Sequence, residues 1–184
     1  YVNDIGQRLA RVSHRPNLEY HFTVVDSPEI NAFALPGGPV FVNTGIIELC
    51  ETEDQLAAVI AHEMSHVAAR HATEMLTTQS LTQMAIIAAI SVIPVAIPPI
   101  AWEGAKLGYV LGLLRYSRGM EAESDRLGLQ LMSAAGYDPA EMAVMFRHLG
   151  EQEHSLPSIV ERFASSHPLT ADRMHAVEAE VRRL

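Results

Sequence analysis

The motif His62-Glu63-Met64-Ser65-His66 constrains this chain more than any other stretch. It lies in residues 53–78, a run that contains no Gly or Pro and whose apolar residues recur at helical spacing. Thr52 and Gln55 form a capping box ahead of the run. The sequence therefore predicts one uninterrupted helix over residues 53–78.

The spacing of the motif suggests a metal site. On a helix, His62 and His66 lie one turn apart on the same face, so that their imidazoles can share one ion. Glu63 lies about 100° round the helix from His62, where it can take a proton from metal-bound water without binding the ion. The alternative is a helix whose two histidines and one glutamate have no role in chemistry.

Composition sets the class of protein. With 184 residues, of which 48% are hydrophobic and 19% charged, the chain is expected to fold as one globular domain over residues 1–184. A net charge of −9 without a Lys/Arg-rich run argues against a nucleic-acid partner. The single Cys50 excludes an internal disulfide and a Cys-based zinc cluster. Because the chain starts at Tyr1, we expect that any signal peptide or anchor lies outside it.

Periodicity predicts a mainly helical α+β fold with a small sheet beside the motif helix. An opening helix precedes strands at residues 20–25, 31–35 and 40–43, and further helices follow at 121–135, after Asp138 and after Thr170. Gly37 and Gly38 are interpreted first as turn formers. The alternative is that this region forms a substrate-binding sheet edge, on which an extended peptide adds a strand. The residues of this edge would be Gly37, Gly38, Val40 and Phe41.

Residues 84–101 are apolar except for Ser91. Their length is close to that needed to cross a bilayer, but Pro94, Pro98 and Pro99 argue against a straight spanning helix. Two interpretations stay open: a buried hairpin or oligomer contact, and a flap that faces a membrane or a membrane-protein partner.

A zinc site with two histidines normally takes a third protein ligand. Ala69 and Ala72 exclude the metzincin pattern, and His71 is expected on the far side of the helix in a structural or surface role. Glu121 and Asp125 lie one turn apart on a later predicted helix. In this option Glu121 binds the ion, and Asp125 accepts the other ring N–H of His62. His167 is a third option.

Several motifs together resemble one family. They are the HEMSH motif, residues 31–38, Ser117-Arg118 with the spacing of Glu121 and Asp125, and His167-Pro168 followed by Arg173. In this order they resemble the gluzincin-type peptidases that include HtpX and the CAAX prenyl protease. The chain looks most like the compact periplasmic members, which take part in outer-membrane protein quality control.

The resemblance implies a zincin-like fold and one Zn²⁺ per chain, bound by His62, His66 and Glu121. It places His167 near the metal, where it either stabilises the oxyanion as a catalytic residue or occupies the open fourth position. Two arginines are expected to stabilise the site without binding the metal. Arg118 anchors the helix of Glu121, and Arg173 pairs with an acid.

The expected function is zinc-dependent endopeptidase chemistry with Glu63 as base. The resemblance further implies unfolded or misassembled envelope or membrane proteins as substrates, in the bacterial periplasm and in association with a membrane. Two alternatives remain: a zinc-binding, membrane-associated chaperone or autoinhibited quality-control factor, and a protein in which zinc is purely structural.

Overall fold

A computed structural model describes the fold of residues 1–90, 116–155 and 163–184, with side chains for all of these but residues 79, 82–90 and 153–155. The elements, in chain order, are α1 (Val2–Ala10), β1 (His21–Val25), β2 (Ala32–Ala34), β3 (Pro39–Asn43), α2 (Thr44–Leu49), α3 (Glu53–Ala68), α4 (His71–Ile90), α5 (Arg118–Ala135), α6 (Ala140–Ser155) and α7 (Ala171–Val181). The predicted α+β, mainly helical class is confirmed.

The three strands form one sheet in the order β1-β3-β2. β1 runs parallel to β3, whereas β2 runs antiparallel to it. The turn between β2 and β3 depends on Gly37 and Gly38, which have φ angles of 98° and 115°. At Gly38 a Cβ atom would also clash with the carbonyl oxygen of Glu19, so this turn favours glycine for two reasons.

Helix α3 is the centre of the fold. Every residue from Gln55 to Val67 is buried, and a helix buried on all sides must be covered by several elements. It packs against α1, α5, α6 and the sheet. At its start, the Thr52 hydroxyl accepts a hydrogen bond from the Gln55 N–H at 3.2 Å, and the Gln55 side chain accepts one from the Glu51 N–H at 2.9 Å.

Helix α5 approaches α3 closely at Gly128. A Cβ atom at this position would lie 2.9 Å from the Met142 side chain and 3.4 Å from the backbone nitrogen of His62. The first contact is with the flexible end of a side chain on α6 and the second is an ordinary van der Waals distance, so glycine relieves crowding at this close approach without being strictly required. The contact brings the first turns of α5, with Glu121 and Asp125, to the level of the two motif histidines.

The prediction of one helix over residues 53–78 is wrong. α3 ends at Ala68, and α4 begins at His71. Arg70 separates them with a φ angle of 64°, in the left-handed region that ends a helix. Neither Gly nor Asn stands at this position to mark the break, which is why periodicity alone did not indicate it.

The apolar segment 84–101 lies almost wholly outside the described residues. Only its first part, up to Ile90, belongs to a described element, the C-terminal part of α4. Within the described ranges, no helix combines the length and the apolar character that a membrane span requires.

Candidate metal centre

Four buried side chains converge on one point between α3, α5 and the segment before α7. Each offers one nitrogen or oxygen atom, and these four atoms all lie within 4.8 Å of one another. The four residues are His62, His66, Glu121 and His167. Such a set of imidazole nitrogens and a carboxylate oxygen is typical of protein zinc sites.

The distances show how tight the cluster is. The Nε2 atoms of His62 and His66 are 3.0 Å apart. Glu121 Oε1 lies 3.3 Å from His66 Nε2, and Glu121 Oε2 lies 3.5 Å from His62 Nε2. Nδ1 of His167 lies 3.0 Å from Glu121 Oε1 and 3.3 Å from His62 Nε2. The structure therefore places Glu121 and His167 beside the two imidazoles of the motif.

Short backbone contacts position the residues that come from outside α3. The Ser117 hydroxyl caps α5 by accepting from the Met120 N–H at 3.2 Å, which places Glu121 in the first turn of that helix. The His167 N–H donates to the Phe163 carbonyl at 2.7 Å. Helix α7 begins after Thr170, whose hydroxyl accepts from the Arg173 N–H at 3.3 Å.

A second layer of charge lies behind the cluster. Asp125 Oδ1 is 2.9 Å from Nδ1 of His62. Arg173 contacts both Asp125 oxygens, with its Nε 2.8 Å from Oδ2 and its Nη2 2.7 Å from Oδ1. Its Nη1 lies 2.6 Å from Glu121 Oε2. One buried guanidinium thus connects the two carboxylates of α5 that face α3.

Glu63 lies beside the cluster and is 1% exposed. Neither of its carboxylate oxygens has a hydrogen-bond partner among the described residues, although His167 Nε2 is 3.4 Å from Oε1. Burial raises the pKa of Glu63, and this effect outweighs the opposing attraction of His167 and His62. A buried carboxylate with only a distant imidazole and the Ala34 backbone near it is costly for stability, which is consistent with a role in function.

The electrostatics of the cluster fit a bound cation. Burial tends to raise the pKa of Glu121, but its contacts with His167, His62 and His66 hold it well below the usual range. Burial tends to lower the pKa of His62, but its hydrogen bonds to Asp125 and Glu121 raise it to about 10. Without a metal, the carboxylates therefore draw a proton onto an imidazole. A divalent cation can supply the same positive charge, so the residues present fit a metal ion.

Two residues of this region were missed by sequence reasoning. His71 is 2% exposed and lies against His66, with their Nδ1 atoms 3.0 Å apart. It does not lie on the far side of the helix, because the helix breaks before it. The Tyr116 ring stacks on His66 with the ring centroids 3.9 Å apart. No pattern in the sequence marks Tyr116.

The expectations for Arg118 and the sheet edge need correction. Arg118 is exposed at the first position of α5, where Ser117 supplies the cap, so the structure does not support an anchoring role. Val40 and Phe41 lie on β3, which is paired on both sides, so these two residues cannot offer a free edge. Gly37 and Gly38 lie in the turn beside this strand.

The edge strand near the site is β2 instead, although Ala32 and Ala34 are 0% and 5% exposed and this edge is covered. The Asn31 carbonyl accepts a hydrogen bond from the Asn43 N–H, and the Leu35 N–H donates one to the Pro39 carbonyl. Both bonds connect this strand to β3. Because backbone groups alternate along a strand, those of Ala32 and Ala34 face away from β3. The Ala34 N–H faces the Glu63 carboxylate and lowers its pKa slightly against the effect of burial.

A small cavity of about 10 Å³ lies next to His62 and Glu63 between α3 and α6. Apart from Arg173 and the two motif residues, its lining is apolar: Ala58, Val59, Met142, Met145, Phe146, Leu149 and Phe163. Its volume has room for about one water molecule, so it marks an apolar surface beside Glu63 rather than a formed pocket for a side chain.

The site combines two histidines and a buried glutamate on one helix with a carboxylate from a second helix. These features are those of a metallopeptidase domain. Comparison with protein families agrees with this class. The chain belongs to peptidase family M48, whose family model matches residues 1–181. Membership in a peptidase family agrees with the metal-ligand set of the site.

The relatives are named proteases. The chain is 36% identical over 182 residues to the mitochondrial metalloendopeptidase OMA1 of Schizosaccharomyces pombe, covering 97% of this chain and 51% of that protein. It is 31% identical over 181 residues to the beta-barrel assembly-enhancing protease of Escherichia coli K12, covering 95% and 37%. For the OMA1 metalloendopeptidase of Bos taurus the identity is 35% over 158 residues, covering 82% and 30%. The chain therefore spans about half the length, or less, of these relatives.

Proposed function

We propose that residues 1–184 form a single zinc-dependent endopeptidase domain. The observation that carries the proposal is the position of Glu63. It is a buried carboxylate without hydrogen-bond partners among the described residues, and it lies directly beside four converging metal-ligand atoms. A purely structural metal site has no need for such a residue, since a close-packed apolar side chain would be more stable there.

We assign one Zn²⁺ per chain to His62, His66 and Glu121. When bound, zinc acts as a Lewis acid and lowers the pKa of water to about 7. The protein residues supply the remaining functions. Glu63 accepts a proton from the attacking water and passes it to the leaving amine. Asp125 holds His62 in the tautomer whose Nε2 faces the cluster, and Arg173 holds Asp125.

The substrate is a polypeptide bound in an extended conformation. The edge strand β2 lies beside Glu63, and pairing with its backbone gives affinity with little side-chain preference. Because Ala32 and Ala34 are 0% and 5% exposed, their outward-facing backbone groups must be uncovered before a substrate can pair with them. The apolar residues that line the small cavity beside Glu63 can contact a hydrophobic side chain of the substrate once the site opens to admit it. Unfolded proteins expose both extended backbone and apolar side chains, so this combination favours unfolded or misassembled polypeptides as substrates.

The proposed physiological setting is supported by the names of the relatives and by the sequence. Proteins named for beta-barrel assembly support a role in quality control of envelope or membrane proteins in the bacterial periplasm. Relatives named as mitochondrial make a mitochondrial membrane the alternative setting. The apolar composition of residues 84–101 supports contact with a membrane surface or a membrane protein.

A second candidate function is an autoinhibited or chaperone-like zinc protein with little turnover. The distances of 3.0 and 3.3 Å from His167 Nδ1 to Glu121 and His62 favour it, because a fourth protein ligand would occupy the position that water needs. In the first candidate His167 instead donates a hydrogen bond to the developing oxyanion.

Cleavage of unfolded casein distinguishes these proposals. We expect cleavage that a chelator abolishes and that zinc restores, and we expect none from Glu63→Gln. His167→Ala should lose activity if His167 stabilises the oxyanion and gain activity if it blocks the fourth position. If the wild type and His167→Ala both bind a full equivalent of zinc and neither cleaves casein, the endopeptidase proposal is contradicted.

A further inference from the structure

The two motif histidines are supported differently on the side away from the cluster. Nδ1 of His62 faces a carboxylate directly, at 2.9 Å from Asp125. Nδ1 of His66 faces a third imidazole, at 3.0 Å from Nδ1 of His71. The other nitrogen of His71, Nε2, lies 3.3 Å from Glu123 Oε2. His66 is therefore also connected to a carboxylate, but through His71.

The hydrogen-bond chemistry allows only one arrangement of protons when His66 binds a metal. Its Nε2 atom faces the cluster and must be unprotonated to act as a ligand, so the proton of the neutral ring is on Nδ1. Nδ1 of His71 must then accept that N–H. The remaining proton of neutral His71 is on Nε2, which donates to the Glu123 carboxylate.

We propose that His71 is a positioning residue for His66 and that it transmits the negative charge of Glu123 to this metal ligand. We call the three residues Glu123, His71 and His66 the His71 bridge. By accepting the Nδ1 proton, His71 holds the His66 ring in orientation and strengthens Nε2 as a ligand, as a directly bound carboxylate does for histidine ligands in general.

The backbone and the burial pattern support this role. Arg70 adopts the left-handed conformation that separates α4 from α3 and lets His71 lie beside His66. In a non-glycine residue this conformation costs energy, which the surrounding structure must offset. His71 is 2% exposed, whereas the Glu123 side chain is 49% exposed. The bridge therefore leads from the buried cluster to the solvent. Ser124 Oγ, 3.3 Å from His71 Nδ1, further restrains the ring.

The inference rests on the proposed function in one respect, since it takes the cluster to bind zinc.

The test is the zinc dissociation constant, measured by competition with a chromogenic chelator. His71→Ala removes the acceptor and should raise the constant about 10- to 100-fold, the usual effect of losing such a support. His71→Asn places an amide oxygen near the position of Nδ1 and should restore most of the affinity. Glu123→Ala, a change at the surface, should weaken binding less than His71→Ala does. Exposed His175→Ala is the matched control and should leave the constant unchanged.

A second readout reports the protons themselves. In the zinc-loaded protein with ¹⁵N-labelled histidine, NMR should show His66 protonated at Nδ1 and His71 protonated at Nε2. A His71 ring protonated at Nδ1 would overturn the inference, as would a dissociation constant for His71→Ala equal to that of the wild type. A wild-type protein that binds no zinc would contradict the proposed function instead, so the two failures are distinguishable.

Discussion

Asp125 Oδ1 lies 2.9 Å from Nδ1 of His62, the nitrogen that points away from the four converging ligand side chains. The same carboxylate is held by two nitrogens of Arg173. His62 therefore has one defined ring orientation before any ion binds, with Nε2 facing the metal-ligand cluster. Pre-organisation of this kind is what distinguishes a metal ligand from a histidine that is merely buried.

Asp125→Asn tests this relationship. The amide keeps the shape of the side chain but loses its charge, so His62 becomes a weaker ligand. We expect the zinc dissociation constant to rise about 10- to 100-fold, measured by chelator competition. Asp172→Asn, an exposed acid in the first turn of α7, is the matched control. Unchanged affinity in Asp125→Asn would show that the contact does not support the metal.

Glu63→Gln tests the catalytic base. Removing the charge should lower kcat for peptide cleavage by at least about 10²- to 10⁴-fold, while the zinc content stays at the wild-type level. Because the buried carboxylate oxygens have no hydrogen-bond partner among the described residues, the melting temperature should stay the same or rise. Glu48→Gln, at an exposed position of α2, should change none of these quantities. Substantial residual cleavage by Glu63→Gln would rule out Glu63 as the base.

Arg173→Met tests the guanidinium that joins Glu121 and Asp125. The substitution leaves two buried carboxylates without their counter-ion, and breaking a buried ion pair typically costs about 3–5 kcal/mol. Urea unfolding of the metal-free protein measures the loss. Arg147→Met breaks only an exposed pair with Glu178 at 3.8 Å and should cost about 0–1 kcal/mol. Equal losses from the two variants would contradict the proposed role of Arg173.

Cys50 gives a prediction for pH dependence. Burial raises the pKa of its thiol to about 12, whereas an unfolded thiol titrates near about 8.5. Because the folded pKa is the higher one, the contribution to stability is present below about pH 8.5 and is lost as the pH rises towards 12. The free energy of unfolding of the metal-free wild type should therefore fall relative to that of Cys50→Ala between about pH 8 and about pH 10. These two pH values bracket the onset of ionisation of an unfolded thiol. A difference that does not change with pH would show that the thiol titrates normally in the folded protein.

Sequence spacing was sufficient to place several groups near one another. The one-turn spacing of His62 and His66, and of Glu121 and Asp125, defines which side chains share a helix face. Two buried acids on one face need cations or donors opposite them, and the two imidazoles supply these. The family resemblance added His167 and Arg173, which no local pattern connects to the motif.

Other features depend on tertiary structure that local patterns do not encode. Nothing in the residue type of Arg70 indicates a left-handed break, so His71 was assigned to the wrong side of a helix that does not continue. The strand order was also inaccessible, because alternation identifies β3 but does not reveal that it is the central strand. Gly128 reads as a weak point of a helix in sequence, and only the packing of α5 on α3 explains it.

The most direct test of the account is the metal content of the purified protein, measured by mass spectrometry for the wild type, His66→Ala and Glu121→Gln after dialysis against excess zinc and then against metal-free buffer. The account predicts one zinc ion per chain in the wild type and a clear loss of zinc in both variants, since each removes a ligand contributed by a different helix. A wild type that retains no zinc, or a Glu121→Gln variant that retains a full equivalent, would contradict it.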